Sequence, residues 1–384
     1  MIGRFFGQST AQPRQPSATF RALRHRNFRL FWIGQLISLI GSWMQSLALQ
    51  WLVYQLTGSA SAMGTVAALT SLPVLVISPF TGVLLDRYPK RRVLQVTQLV
   101  AMLSALTLAG LVFFDVIQYW HILVMATLNG AVNAVDMPAR QSFTSEMVDD
   151  RADLMNAIAL NASMFNAARM IGPAVAGILV GAVGLAWAFL LNGLSFIAVM
   201  VGLARMDLPA TVARRTSETS PLRDFIEGSR YAVQTPLIRA LLLLVFVPSV
   251  LGFGYVSLLP IFADQILTSG WITNGATRLG LIMTANGVGA LAGALRMAQA
   301  SAETDRRAVL LRGALGFGVG ICLLAINRSF WLALPIMTLT GFSMVSFLAT
   351  ANTLLQTTAA DHLRGRVMSF YVMTLVGMLS LIHI

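Results

Sequence analysis

Apolar segments of about 20 residues recur along this chain, and they constrain its fold more than any other feature. Charged residues make up only 11% of the 384 residues, whereas soluble domains carry roughly 25%. A helix needs about 20 apolar residues to cross a bilayer, and each segment is near that length. We therefore predict an all-α membrane protein with spans at about 28–56, 61–85, 93–114, 119–143, 155–182, 185–205, 237–263, 277–299, 308–327, 331–357 and 366–384.

The order of these spans predicts two related halves. Two polar turns, "SEMVDDRADLMNA" after the fourth span and "TTAADHLRGRVMSF" after the tenth, match weakly and support an internal repeat. We expect a cytoplasmic N-terminal tail at 1–27, an N-terminal six-helix half at 28–205, a cytoplasmic linker at 206–236 and an incomplete C-terminal half at 237–384. The last six residues, "LSLIHI" (379–384), back-translate to a transposase end used in sequencing libraries. We interpret them as adapter read-through, with a native apolar tail as the alternative.

Basic residues are concentrated in alternate loops between the spans. If the N-terminus is cytoplasmic, all but three of the 27 basic residues fall on the inner side, and the three exceptions are Arg169, Arg278 and Arg328. Cytoplasmic loops of membrane proteins carry such an excess of arginine and lysine. This distribution predicts a cytoplasmic N-terminus, and it also explains the net charge of +12 without nucleic-acid binding.

The sequence argues against several kinds of functional site. The single cysteine, Cys322, excludes a disulfide framework and a cysteine metal site. There is no G-x-x-x-x-G-K-[ST] loop for ATP phosphates, and the four histidines are scattered along the chain. We therefore expect neither an enzyme nor a metal or organic cofactor.

A charged turn, "GVLLDRYPKRRVL" at 82–94, lies between the second and third spans. It resembles the G-x-x-x-D-R-x-G-R-[RK] loop of the major facilitator superfamily, with Pro89 at the position of the loop glycine. The resemblance implies a fold of two six-helix halves, here reduced to about eleven spans, and a latch between the halves. The latch residues would be Gly82, Asp86, Arg87, Lys90 and Arg91. A simple topology anchor is the alternative, although it leaves Asp86 unexplained.

The fifth span carries a second resemblance, in "NAARMIGPAVAGILVG". Exporters of the superfamily have G-x-x-x-G-P-x-x-G-G there, and the matching positions here are Ala168, Gly172, Pro173, Ala176 and Gly177. Small residues allow close helix packing, and proline can bend a span. Packing without any bearing on transport direction is the alternative. The whole chain is most similar to the exporter branch with enterobactin and multidrug efflux carriers, which implies a bacterial cytoplasmic (inner) membrane.

Polar side chains recur on one face of three spans. Such residues usually face protein or a water-filled cavity, and the superfamily lines its cavity with spans one, four, seven and ten. We expect the cavity to be lined by Gln35, Ser38, Ser42, Gln45, Asn129, Asn133, Ser343, Ser346 and Thr350. Hydrogen bonding between helices is the alternative, above all for the tenth span.

Asp136, Arg140 and Arg169 are charged residues within the fourth and fifth predicted spans. Arg169 is near the middle of the fifth span and needs an anion, which a side chain, a substrate or backbone carbonyls could supply. We predict Asp136 as its partner and as the acid of a proton cycle, with Arg140 one turn away. A purely structural ion pair is the alternative to a role in binding or proton coupling. Among the aromatic residues, we interpret Trp51 and Tyr54 as interfacial anchors.

These features predict a secondary transporter that works by alternating access. The expected activity is proton-coupled export of a small amphipathic compound, siderophore-like or drug-like, by a monomer embedded in the lipid bilayer. An importer of the same fold and a non-transporting membrane scaffold are the alternatives.

Overall fold

The computed structural model describes residues 18–148, 150–207, 229–252, 254–268, 270–299, 305–360, 363, 367, 368, 370, 371 and 374. Most of the predicted linker, most of the last predicted span and residues 379–384 lie outside this part. A short 3₁₀ helix at Ala18–Arg24 comes first. The α-helices are α1 (Arg26–Thr57), α2 (Ala60–Arg87), α3 (Lys90–Phe113), α4 (Tyr119–Thr144), α5 (Arg151–Val183), α6 (Leu185–Ala204), α7 (Pro236–Leu251), α8 (Tyr255–Ile261), α9 (Gly275–Ala298), α10 (Arg306–Ile326) and α11 (Phe330–Thr358).

The predicted spans correspond closely to these helices. Nine of the described helices are long and apolar enough to cross a membrane: α1 to α6 and α9 to α11. The all-α membrane fold is therefore confirmed.

The seventh predicted span (237–263) is wrong as one continuous helix. It consists of α7, α8 and a π-helical turn at Phe262–Ile266. Pro248 has no backbone N–H for the helix ladder, and its carbonyl accepts the last regular bond, 2.8 Å from the Gly252 amide. The helix ends there and restarts at Tyr255, because proline and neighbouring glycines favour a break in the helix.

Local sequence sets several other helix boundaries. Gly58 ends α1 in the left-handed conformation, with φ of 59°, which glycine adopts without steric cost. Ser59 then caps α2 by accepting a hydrogen bond from the Ala62 amide. Asp305 caps α10 in the same way through the amides of Arg307 and Ala308. These caps keep the loops between helices short.

The helices form two bundles that meet along one main line. In the first bundle, α1 packs on α5 and α6, α3 packs on α4 and α6, and α2 packs on α4. In the second, α11 packs on α7, α9 and α10. The bundles contact each other mainly through α5 and α9, with α8 also touching α1 and α2.

The hydrophobic cores differ between the two ends of the molecule. We call the end at which α1 begins the inner end and the other the outer end, following the predicted orientation. The outer core contains residues of both halves, including Leu47 and Trp51 from α1 and Leu259 and Leu267 from the seventh span. At the inner end there are two separate cores, one around Phe28 and one around Leu355, with the other members of each from the same half.

Candidate functional site

The two halves touch most closely where α5 crosses α9. A Cβ atom added to Gly280 would lie 2.7 Å from the Gly177 Cα, so only glycine fits at this crossing. The Thr277 hydroxyl donates across the crossing to the Gly177 carbonyl at 3.1 Å. Gly172, also on α5, lies directly against Trp43 of α1.

The remaining members of the predicted fifth-span motif lie in the same crowded region. Ala168 and Ala176 are fully buried, and Pro173 presents its carbonyl toward Gly280. The motif therefore brings α5 into contact with α1 in its own half and with α9 in the other half.

The outer end is closed by a hydrogen bond between the halves. The Tyr54 hydroxyl of α1 donates to Asp264 at 2.7 Å and accepts from Gln265 at 3.0 Å. Trp51 and Tyr54 are buried at this contact, so their interpretation as lipid-interface anchors is wrong. The described residues thus share one core at the outer end and form two separate cores at the inner end, so the halves are in contact at the outer end in this state.

The charged turn contacts its own half in this state. Lys90 forms an ion pair with Glu146 at 2.7 Å, at the inner end of α4. Arg91 donates to the carbonyls of Ala204 and Met206, at 2.9 and 3.2 Å, where α6 ends. A basic side chain satisfies such terminal carbonyls well.

The other predicted latch residues are less engaged. Arg87 is exposed, and a Cβ atom added to Gly82 would meet open space. The side chain of Asp86 lies outside the described part of the structure.

Asp136 is the centre of a buried polar network. Its carboxylate is 1% exposed and pairs with Arg140 one turn later on α4. Thr97 and Gln98 of α3 donate to the same carboxylate at 2.7 and 2.8 Å. Arg140 also donates to Gln35 of α1 at 2.7 Å, so the network joins three helices of the first half.

Arg169 does not pair with Asp136, and that prediction is wrong. Its guanidinium donates instead to the side-chain oxygen of Asn286 on α9, at 2.8 Å. It also lies over the Trp43 ring, 5.8 Å from the ring centroid. The physical reason is geometric, because α5 faces α9 and α1 at this level whereas Asp136 faces α3.

Most of the predicted cavity-lining residues are engaged within one half. The Gln45 oxygen accepts from Asn192 of α6 at 2.7 Å, Asn129 donates to Ser104 at 3.1 Å, and the Ser42 hydroxyl donates to the Ser38 carbonyl at 2.9 Å. Five of the set are buried between helices: Gln35, Ser38, Ser343, Ser346 and Thr350. Asn133 is exposed. Three of the nine, Gln35, Gln45 and Asn129, bond to another helix of the first half, whereas the Ser42 and Thr350 hydroxyls donate to carbonyls one turn earlier on their own helices.

Sequence reasoning missed several residues of these networks. Asn286, Thr97 and Gln98 are polar residues within apolar spans, which was a usable signal. Asp153 is fully buried at the start of α5 and pairs with Arg21, Arg24 and His25. These contacts fix the segment before α1 onto the inner end of α5.

Comparisons with known proteins agree with this architecture. The chain matches the family model described as transmembrane secretion effector over residues 17–382. The multidrug efflux pump Tap of Mycolicibacterium fortuitum is 28% identical, over 85% of this chain and 80% of that protein. The staphyloferrin A transporter of Staphylococcus aureus is 24% identical, over 90% of this chain and 85% of that protein.

Solved structures show the same fold at lower identity. A bacterial homologue of the human lysosomal transporter Spinster, in an inward-facing and unoccupied conformation, gives a TM-score of 0.64 at 12% identity over 96% of this chain and 82% of that one. The nucleoside transporter NupG gives a TM-score of 0.62 at 11% identity, over 96% and 89% of the two chains. The chain is a membrane transporter that belongs to the transmembrane secretion effector family of the major facilitator superfamily.

Proposed function

We propose that this transporter exports small amphipathic compounds, drug-like or siderophore-like, by proton-driven alternating access. The observation that carries the proposal is the asymmetry of the cores, with one shared outer core and two separate inner cores. Rocking of the halves about α5 and α9 would exchange this asymmetry between the two ends. Relatives named for multidrug efflux and for staphyloferrin A transport support export and this class of compound.

The proton-coupling group in this proposal is the Asp136–Arg140 pair. Protonation of Asp136 would remove the negative charge that holds Arg140, and the network across α1, α3 and α4 would rearrange. No further cofactor is needed, because the proton gradient supplies the free energy. The proposed working form is a monomer in the bacterial inner membrane with its N-terminus in the cytoplasm.

Reconstitution in liposomes tests direction and coupling together. Compounds from a panel of drug-like molecules and siderophores would be added to one side, and a proton gradient of either sign imposed. We expect movement of at least one compound against proton flow, abolished by a protonophore. Movement together with the protons would identify an importer, and absence of transport across the panel in correctly inserted protein would favour a scaffold.

A matched pair of glycine variants tests the latch. A Cβ atom added to Gly82 or to Gly318 meets no other atom within 4 Å in this conformation, so we expect both positions to accept leucine. We propose that Gly82 meets the other half in the outward-open state, where leucine would collide. Transport should therefore fall about tenfold or more in Gly82→Leu, equivalent to roughly 1.4 kcal/mol or more, and stay near normal in Gly318→Leu. Equal transport by the two variants would leave only the topology-anchor role.

A further inference from the structure

We propose that Arg169, Asn286 and Tyr255 form a binding site for an anionic group, so that the transported compounds are amphipathic organic anions such as aromatic carboxylates. The inference rests on the proposed transport function and narrows its substrate class. It starts from a charged side chain near the middle of α5 that has no acidic partner among the described residues.

Arg169 lies near the middle of α5, and no carboxylate among the described residues pairs with it. Asp136 is paired with Arg140, and Asp264 is bonded to Tyr54 and lies 4.0 Å from Arg278. Each described carboxylate within the spans is therefore engaged elsewhere. A guanidinium in the middle of a bilayer is costly unless an anion or a water-filled cavity compensates it. A neutral amide and the face of Trp43 compensate Arg169 only in part.

Asn286 is held in the one orientation that presents its oxygen to Arg169. Its amide nitrogen donates to the Tyr255 hydroxyl at 3.3 Å and to the Met337 carbonyl at 3.4 Å. Both of those groups are acceptors for this nitrogen, so the side-chain oxygen must face the guanidinium. The contacts with Tyr255 and Met337 fix the Asn286 side chain, and its oxygen in turn fixes the position of one Arg169 nitrogen.

Hydrogen-bond donors remain for a ligand. A guanidinium has five N–H groups, and the bond to Asn286 uses a single one. The Tyr255 hydroxyl accepts from Asn286 and keeps its own proton for donation. Arginine with a neighbouring hydroxyl is a donor set that suits a carboxylate, which accepts two parallel N–H bonds.

The site is built by both halves and has an aromatic approach. Arg169 and Trp43 belong to the first half, whereas Asn286 and Tyr255 belong to the second. Phe165, one turn before Arg169, is 42% exposed and stands edge-on to Trp43 at 5.7 Å. Phe165 lies one turn nearer the inner end than Arg169, so in this proposal the aromatic pair contacts the apolar body of a ligand whose anionic group reaches Arg169.

A structural strut between the halves is the competing explanation of the same contacts. A strut and a binding site make different predictions for matched ligands. If the contacts only hold the two halves together, benzoate and benzamide should have the same effect on the melting temperature. A binding site would distinguish benzoate from benzamide, because these compounds share a ring and differ in charge.

The experiment measures thermal unfolding of the purified protein in detergent with rising sodium benzoate, benzamide or benzylamine, at constant ionic strength. We expect benzoate alone to raise the melting temperature. Arg169→Gln should raise the apparent Kd for benzoate about tenfold or more. Arg296→Gln is the matched control, since Arg296 lies on α9 and stacks over Phe342 at 5.6 Å, but at the exposed inner end of the helix. It should bind benzoate like the wild type.

A second variant covers the case in which Arg169→Gln fails to fold. Tyr255→Phe removes one hydroxyl and should weaken benzoate binding several-fold while the ligand-free melting temperature changes little. The proposal is overturned if benzamide stabilises the protein as well as benzoate does, or if every site variant that folds keeps wild-type affinity for benzoate. Because binding is read without transport, a failed liposome assay would contradict the proposed function and leave this site standing.

Discussion

Asp136 and Arg140 place opposite charges in an apolar span, where burial of either charge alone would destabilise the protein. The carboxylate accepts from Thr97 and Gln98 as well as from the arginine, and the arginine reaches on to Gln35. Every oxygen of the acid is therefore bonded within one half. Such a pair contributes little compared with an apolar pair, but breaking it leaves a buried charge uncompensated. The residues act as a unit.

We predict that Asp136→Asn destabilises the protein by about 1–3 kcal/mol. The estimate is below the roughly 3–5 kcal/mol of a fully buried pair, because a quarter of the Arg140 side chain (26%) is exposed. Thermal unfolding in detergent measures the effect, and Asp136→Asn combined with Arg140→Gln should recover at least half of it. Proton-driven transport that survives in Asp136→Asn would remove this acid from the coupling role.

At the scale of elements, α5 and α9 form the axis between the halves. Their backbones touch at Gly177 and Gly280, and a second close approach joins Gly287 to the backbone of Met170. In lipid, burial of apolar surface does not drive helices together. Close backbone packing of this kind therefore supplies much of the energy of the contact between α5 and α9. A side chain at the crossing must displace backbone rather than a flexible side chain.

Gly280→Ala should therefore destabilise the protein by roughly 1–3 kcal/mol, the usual cost of overpacking. Gly318→Ala is the matched control on α10, because its added methyl meets open space. It should be neutral or slightly stabilising, since alanine favours a helix by up to about 1 kcal/mol over glycine. Melting temperatures of the two variants check the contrast, and equal shifts would mean that the crossing is not tightly packed in the membrane protein.

At the scale of the whole molecule, the two halves share a core at the outer end and have separate cores at the inner end. The outer contact includes two hydrogen bonds, from Tyr54 to Asp264 and from Gln265 to Tyr54, within a shared apolar core. A transport cycle requires this contact to open. In the proposed cycle the closed outer end is therefore one reversible state of the protein.

Cross-linking the outer contact should stop transport. In a Cys322→Ser background, Tyr54→Cys and Asp264→Cys would be joined by a short bifunctional thiol reagent with a reducible linkage. We expect transport to be lost on cross-linking and restored by reductant, while each single cysteine remains active after the same treatment. Continued transport by the cross-linked protein would show that the outer end does not open at this contact.

Reporter fusions test the predicted orientation of the whole chain. Alkaline phosphatase fused after Asp115, in the loop that follows α3, should be active because that loop is predicted to be periplasmic. The same enzyme fused after Arg205, which ends α6, should be inactive, and fluorescent-protein fusions should give the reverse pattern. Equal phosphatase activity of the fusions after Asp115 and after Arg205 would contradict the orientation derived from the basic residues.

The approximate limits of the nine described membrane-length helices followed from the sequence alone, because hydropathy over about 20 residues is a local property. The break in the seventh predicted span did not. The glycines of the fifth span were also visible there, since small size is a property of each residue. What the tertiary structure decided was which surfaces meet. Arg169 bonds Asn286 and not Asp136, and Tyr54 closes the outer end and does not anchor it to lipid. Those partners lie more than 100 residues apart in the chain, and they become neighbours only where the two halves pack together.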